Sequence, residues 1–247
     1  MKKIVVVGAT SVLAEHCCRL WVQREACDLL LIARDGAKAG RIAEDLRVRS
    51  PASTVEVLAM DFLDTAAIGR AADQAAASGA VDIVLIAHGM MPDQRQVEAD
   101  LTLCRETLEI NAVSPALFAE AFARHLARAG RGTLAVIGSV AGDRGRRLNY
   151  TYGASKGFLG LYVQGLDHRF AATGVKVVLI KPGPTDTPLA APAKAAGRKM
   201  ASPEEVAQVM VRGIDSGTPV VYAPARWALI MFVVRCLPRV IFNRLNI

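Results

Sequence analysis

The sequence predicts an α/β fold built on one doubly wound parallel sheet, and three observations carry the prediction. Seven short runs rich in Val, Ile and Leu recur between longer Ala/Leu/Glu/Arg-rich stretches with helical spacing. Most of the runs are continuously apolar instead of alternating, as strands covered on both faces are. Residues able to do chemistry fall directly after several runs, at what would be the carboxyl ends of strands, where such sheets bind ligands. The chain has 247 residues and no linker, repeat or low-complexity tract, so one domain accounts for it. Its 52% apolar content and mean hydropathy of +0.29 are high for a soluble protein and suit a sheet with two buried faces.

Taken in order, the first run, KKIVVV (2–7), leads into GATSVLAE, a strand–turn–helix passage of the kind that cradles phosphate. Lys2 and Lys3 before an apolar stretch could mimic a signal peptide. Glu15 and His16 cut that stretch short and no small-residue cleavage site follows, so a first strand is expected. DLLLIA (28–33), TVEVLA (54–59), VDIVLIA (81–87), GTLAVIG (132–138), VKVVLI (175–180) and PVVYA (219–223) supply the other six strands. No stretch reaches the roughly 20 apolar residues of a spanning helix. The longest candidate, Trp227 to Val234, lies between Arg226 and Arg235, so the protein is expected not to be integral to a membrane.

Five cysteines, an odd number with no CxxC or Cys/His spacing, imply a reducing, cytoplasmic compartment and no structural metal. The formal charge of +7 suits an anionic partner such as a phosphorylated cofactor, a lipid phosphate or an acidic membrane surface. Nucleic acid is disfavoured: the basic residues are scattered, the chain is 5% aromatic, and no nucleic-acid-binding motif is present.

The stretch NYTYGASKGFLGLYVQGL carries the chemistry. Tyr152 and Lys156 are four apart, so on a helix they share a face with about 5–6 Å between Cβ atoms. Ser139 follows a strand thirteen residues earlier, and Asn111 sits in a helical stretch further upstream. A phenol is a poor acid at neutral pH, and a neighbouring ammonium favours its ionised form, so Lys156 is expected to tune Tyr152 as a proton donor and acceptor. A serine hydroxyl beside them can hold and polarise a carbonyl. Such a set suits proton transfer coupled to hydride transfer at a carbonyl carbon, with the hydride supplied by a cofactor.

The order of motifs resembles the short-chain dehydrogenase/reductases, in their shorter single-domain branch, over essentially the whole chain. GATSVLAE, DFLD (61–64), IAHG (86–89), Asn111, Ser139, YGASK (152–156) and KPGPTDT (181–187) fall in the family's sequence. The resemblance implies a Rossmann fold and a catalytic tetrad of Asn111, Ser139, Tyr152 and Lys156. It assigns the asparagine to a water relay and lets the lysine also bond the nicotinamide ribose. It further implies that Gly8, Thr10, Ser11, Val12 and Leu13 meet the pyrophosphate and that Asp61, beside Phe62, meets the adenine. Ala87 and Gly89 would line the adenosine ribose, and Pro182, Gly183, Thr185 and Thr187 the nicotinamide end.

Two departures stand out. Val12 and Ala14 occupy positions where the family carries glycine. Alanine can serve for close helix packing, whereas Val12 replaces the glycine that lets backbone approach the pyrophosphate. Backbone N–H groups at a helix start still attract phosphate, and the Thr10 and Ser11 hydroxyls add donors. IAHG also lacks both asparagines of the family's NNAG, and His88 there reads as a structural or pocket-edge residue. Arg34, directly after the second strand, favours NADP(H) through a 2′-phosphate, with NAD(H) the other option because Asp35 follows at once.

Arg144, Arg146 and Arg147 cluster on the loop expected to overlook the substrate. They read either as a solvated basic turn or as a grip on an anionic substrate group. The catalytic domain is expected over 1–225 and an apolar, basic helical extension over 226–247. That extension has three readings: packing on its own domain or a subunit interface, peripheral contact with the inner face of a membrane, or contact with a separate protein. Together the arginine loop and the extension resemble the family's reductases of polyprenyl-phosphate-linked keto-pentoses, which implies a lipid-linked ketone as substrate. The alternatives are a soluble or acyl-thioester ketone and a non-catalytic dinucleotide sensor. Family resemblance also implies a homo-oligomer.

Overall fold

The computed structural model describes residues 1–195, 197 and 199–245. The seven apolar runs become β1 (Lys2–Val7), β2 (Cys27–Ala33), β3 (Thr54–Ala59), β4 (Ile83–Ile86), β5 (Arg131–Ile137), β6 (Gly174–Pro182) and β7 (Val220–Ala223). They pair in the order β3-β2-β1-β4-β5-β6-β7, and every pairing is parallel. Between them run α1 (Val12–Arg24), α2 (Gly36–Arg49), α3 (Thr65–Ala77), α4 (Gln94–Ala99), α5 (Leu101–Leu108), α6 (Ser114–Ala129), α7 (Tyr150–Phe170), α8 (Ala191–Ala195) and α9 (Pro203–Ser216). Two further helices, α10 (Arg226–Cys236) and α11 (Arg239–Phe242), follow β7.

Alternation along β1 shows how the sheet separates two cores. Ile4 and Val6 pack with α1, α2 and α9 on one face, while Val5 and Val7 pack with α3, α6 and α7 on the other. A strand covered on both sides has no polar face to offer, hence its unbroken apolar sequence. The edge strand β3 is the exception: Thr54, Glu56 and Ala59 are exposed, and its sequence alternates accordingly. β4 is shorter than the 81–87 expected, because Val81 and Asp82 lie before the ladder begins and Ala87 turns into the site.

The chain winds outward from β1 to β3, then returns to pair β4 with β1. That reversal opens a crevice beyond the carboxyl ends of β1 and β4. The helices facing it differ at their starts. Asp35, Asp64 and Ser202 cap α2, α3 and α9 with side-chain acceptors. Ser11, at the start of α1, makes no side-chain cap bond, so the first-turn N–H groups of α1 stay available to a ligand.

Candidate active site

A cleft of about 570 Å3 occupies the crevice, and its wall runs from the β1–α1 turn to the start of α7. Gly8, Thr10, Ser11, Val12 and Leu13 form one side, Arg34, Asp35 and Lys38 the far end, and Ala87, His88 and Gly89 the floor after β4. Ile137, Gly138, Tyr152, Lys156 and Thr187 form the other side. Gly8 has φ +80°, and a Cβ there would lie 2.6 Å from the His88 backbone nitrogen, so only glycine lets the two turns meet. Phe62, His88 and Phe118 pack edge-on as a triangle of rings, with Phe62 and His88 on the cleft wall.

Tyr152 and Lys156 lie in the first two turns of α7, both buried, with Lys156 Nζ 5.9 Å from the phenol ring centre. Ser139, two residues past β5, lies within hydrogen-bonding reach of the phenol, and its Oγ accepts from the Ala141 N–H at 3.1 Å. Burial raises the Tyr152 pKa, and the Ser139 hydroxyl and the Arg146 charge pull it back. Lys156 donates to the Ile137 carbonyl at 3.0 Å, and burial lowers its pKa to about 8. Lys156 Nζ thus turns toward the end of β5 while staying beside the phenol ring. At neutral pH the lysine still carries most of its proton.

Asn111 sits in a π-helical turn, Glu109–Val113, and is fully buried. Its Nδ2 donates to the Met90 carbonyl at 2.7 Å and its Oδ1 accepts from the Met90 N–H at 2.8 Å. The amide therefore pins the loop after β4, and a side chain at Gly89 would strike Asn111 Oδ1. Extra π-turn backbone is what turns this amide out of an otherwise continuous helical stretch.

His88, taken as structural or pocket-edge from the sequence, lines the floor. Ser114 Oγ donates to the Phe62 carbonyl, so its lone pair accepts from His88 Nε2–H at 3.0 Å. That leaves the ring neutral, and burial, with the Lys156 and Arg34 charges, lowers its pKa to about 3. Near neutral pH it therefore does not take up a second proton. At the far end, Asp35 spends Oδ1 on the Lys38 N–H at 2.8 Å, capping α2. Lys38 joins Arg34 in the cleft; its place one helical turn past the strand was the available signal for it.

Some expected residues stand outside the cleft wall. Asp61 is exposed and accepts from the Leu63 N–H at 2.9 Å. Pro182 ends β6, the Gly183 N–H donates to the Ala223 carbonyl at 2.9 Å, and Thr185 Oγ1 donates to the Gly183 carbonyl at 2.9 Å. These three shape the turn that brings Thr187 to the wall.

The arginine cluster divides. Arg144, expected over the substrate, turns the other way: its Nη1 donates to the carbonyls of Val234 at 2.5 Å, Arg235 at 3.3 Å and Leu237 at 2.7 Å. Its guanidinium also stacks on Phe242 at 3.7 Å from the ring centre. The carbonyls at a helix end lack partners within the helix, and the Arg144 fork supplies them. Arg146 is half-buried near Tyr152, and Arg147 is exposed. Next to Arg144, Asp143 forms a half-buried ion pair with Lys181 at 2.6 Å and accepts from the Tyr222 hydroxyl at 2.7 Å. A second, smaller cavity of about 170 Å3 is shared by Ser139, Lys156, Lys181 and Arg235.

The short chain dehydrogenase family profile matches residues 2–197. An uncharacterised oxidoreductase of Streptomyces coelicolor is 31% identical over 247 residues, covering 99% of this chain and 96% of that protein. An uncharacterised oxidoreductase of Mycobacterium tuberculosis is 32% identical over 225 residues, 88% of this chain and 87% of its own. Among solved structures, a short-chain dehydrogenase from Sphingobium yanoikuyae in complex with NADPH superposes with a TM-score of 0.83 over 97% of both chains, at 23% identity.

Proposed function

Because the chain belongs to the short-chain dehydrogenase/reductase family and is an NAD(P)-dependent oxidoreductase, we propose that it interconverts a ketone and a secondary alcohol, with NADP(H) as its preferred cofactor and Tyr152 as the proton donor and acceptor. The observation that carries this reading is buried Tyr152 on the wall of a cleft that also holds an uncapped helix start, with Ser139 of the adjoining small cavity within hydrogen-bonding reach of the phenol. Those residues fit a dinucleotide: the α1 N–H groups and the Thr10 and Ser11 hydroxyls suit the pyrophosphate, and Lys156 suits a ribose hydroxyl. A bound dihydronicotinamide supplies the hydride to the carbonyl carbon.

The chain's own groups handle the oxygen. Ser139 donates to the carbonyl oxygen and holds it beside the phenol. Tyr152 gives that oxygen its proton as the alcohol forms, and in the reverse direction takes it back. The Arg146 charge stabilises the phenolate left behind, and Lys156 holds the neighbouring proton in reserve. Asn111 keeps the floor of the cleft in place through Met90.

NADP(H) preference is supported by two cations, Arg34 and Lys38, at the far end, and by Asp35 being turned to its own helix cap. A 2′-phosphate there meets a guanidinium fork and an ammonium. Of the loop arginines, Arg146, whose charge reaches Tyr152, is the one we assign to an anionic substituent on the ketone, such as a lipid-linked phospho-sugar would carry; Arg144 is left out of that role.

Fluorescence titration with NADPH and NADH tests the cofactor. Tighter NADPH binding, by about tenfold or more, is expected for a charge-assisted 2′-phosphate contact. Arg34→Ala should remove that margin while leaving NADH binding unchanged. Equal affinities in the wild type would sink the NADP(H) assignment, and binding of neither would sink the enzyme reading. Once a ketone is found, Tyr152→Phe should lower its turnover by about 10²–10⁴-fold without weakening NADPH binding.

A further inference from the structure

α10 is apolar all round, and its two faces have different fates. Trp227, Met231 and Val234, spaced by four and three, turn inward: Met231 is buried, and the Trp227 ring lies so close over Gly183 that a side chain there would collide with it. Leu229, with Phe232 and Val233 three and four residues after it, turns outward; the three are 70%, 65% and 51% exposed. In α11, Val240 and Ile241 are likewise 68% and 50% exposed. The result is an apolar strip along two successive helices.

Basic residues frame the strip. Arg226, Arg239 and Arg244 are exposed, and no Asp or Glu occurs after Asp215. We propose that α10 and α11 form an in-plane docking face for an anionic lipid surface, with the apolar strip sunk among the acyl chains and the arginines at the headgroups. The charge pattern selects this occupant over a second copy of the chain. A twofold interface on this face would bring the same arginines toward one another, and the segment holds no acid to compensate them. In-plane docking also fits the size of the helices: none among the described residues is long and apolar enough to cross a membrane.

The face is tied to the site. Arg144, five residues past Ser139, holds the carbonyls at the end of α10. Arg235 lines the small cavity it shares with Ser139 and Lys156. A docked protein therefore turns its Ser139–Asn149 loop toward the bilayer, and the ketone it receives is one carried by a lipid. That last step rests on the ketone-reductase reading; the docking itself does not.

Co-sedimentation of the full-length protein with phosphatidylcholine vesicles, alone or with phosphatidylglycerol, tests the proposal. Sedimentation with the anionic vesicles, weakening as salt rises, is expected. Leu229→Asp with Phe232→Asp should abolish it and leave NADPH titration unchanged. Arg239→Gln and Arg244→Gln, which spare the apolar strip, should each lower partitioning by about fivefold. No sedimentation with anionic vesicles overturns the proposal. So does a change of the Asp variant from a larger to a smaller species in sedimentation velocity, which would make the strip an interface between copies. Vesicle binding without nucleotide binding would keep the docking face and sink the reductase reading, so the two failures are separable.

Discussion

The turn from β1 into α1 and the pair α10–α11 both flank the active-site region, and they are held there by different kinds of bond. At the first, main chain does nearly everything. Gly8 donates to the Ile32 carbonyl at 2.8 Å, Ser11 donates to the Gly8 carbonyl at 2.9 Å, and the loop after β4 presses on Gly8 from below. At the second, one side chain from ninety residues away gathers the last carbonyls of a helix, and a single indole covers Gly183. A ligand site made of strand ends and a helix start is determined by the sheet itself. A helix latched by an arginine and a few inward side chains is an attachment, and an attachment can be released while the sheet stays intact.

That contrast can be broken from either side, and the larger effect lies at the N-terminal turn. Gly8→Ala forces a side chain onto φ +80° and into the His88 backbone. A loss of about 3 kcal/mol in urea unfolding is expected, with NADPH affinity falling along with it. A Gly8→Ala protein of unchanged stability would mean that this turn is softer than its contacts imply. Arg144→Ala should cost less, about 1–2 kcal/mol, since its bonds are to partly exposed carbonyls. Its sharper signature is local: limited proteolysis near Pro238 should accelerate while NADPH titration stays as in the wild type. If Arg144→Ala weakened nucleotide binding as much as Gly8→Ala, the two regions would be one mechanical unit and the distinction would fall.

The same contrast explains what could be read from sequence. The strands were legible because burial on both faces leaves no choice of residue, and β3 diverged where one face meets water. Tyr152 and Lys156 were visible because their spacing is a property of one helix. Asp35 looked like a competitor for the ribose, yet it is spent on capping α2, something an Asp at a helix start does locally. Arg144 was not legible at all. Its partners are backbone carbonyls, which have no sequence signature, and they lie across a separation of about ninety residues. The π-turn at Asn111 was hidden for a similar reason, since one extra residue per turn leaves the helical composition unaltered. The all-round apolar character of α10 was plain, but only packing could divide it into an inward face at Met231 and an outward one at Phe232.

The Arg144 latch has an evolutionary consequence. It grips main-chain oxygens at Val234, Arg235 and Leu237, and every amino acid supplies such an oxygen. The grip therefore exerts no selection on which side chains those residues carry. Descendants of this chain are free to rewrite the outward strip of α10 and α11 without unseating the helices, so long as the arginine stays. One inherited catalyst could thus be re-addressed to new surroundings by a handful of surface substitutions, none of which touches the chemistry.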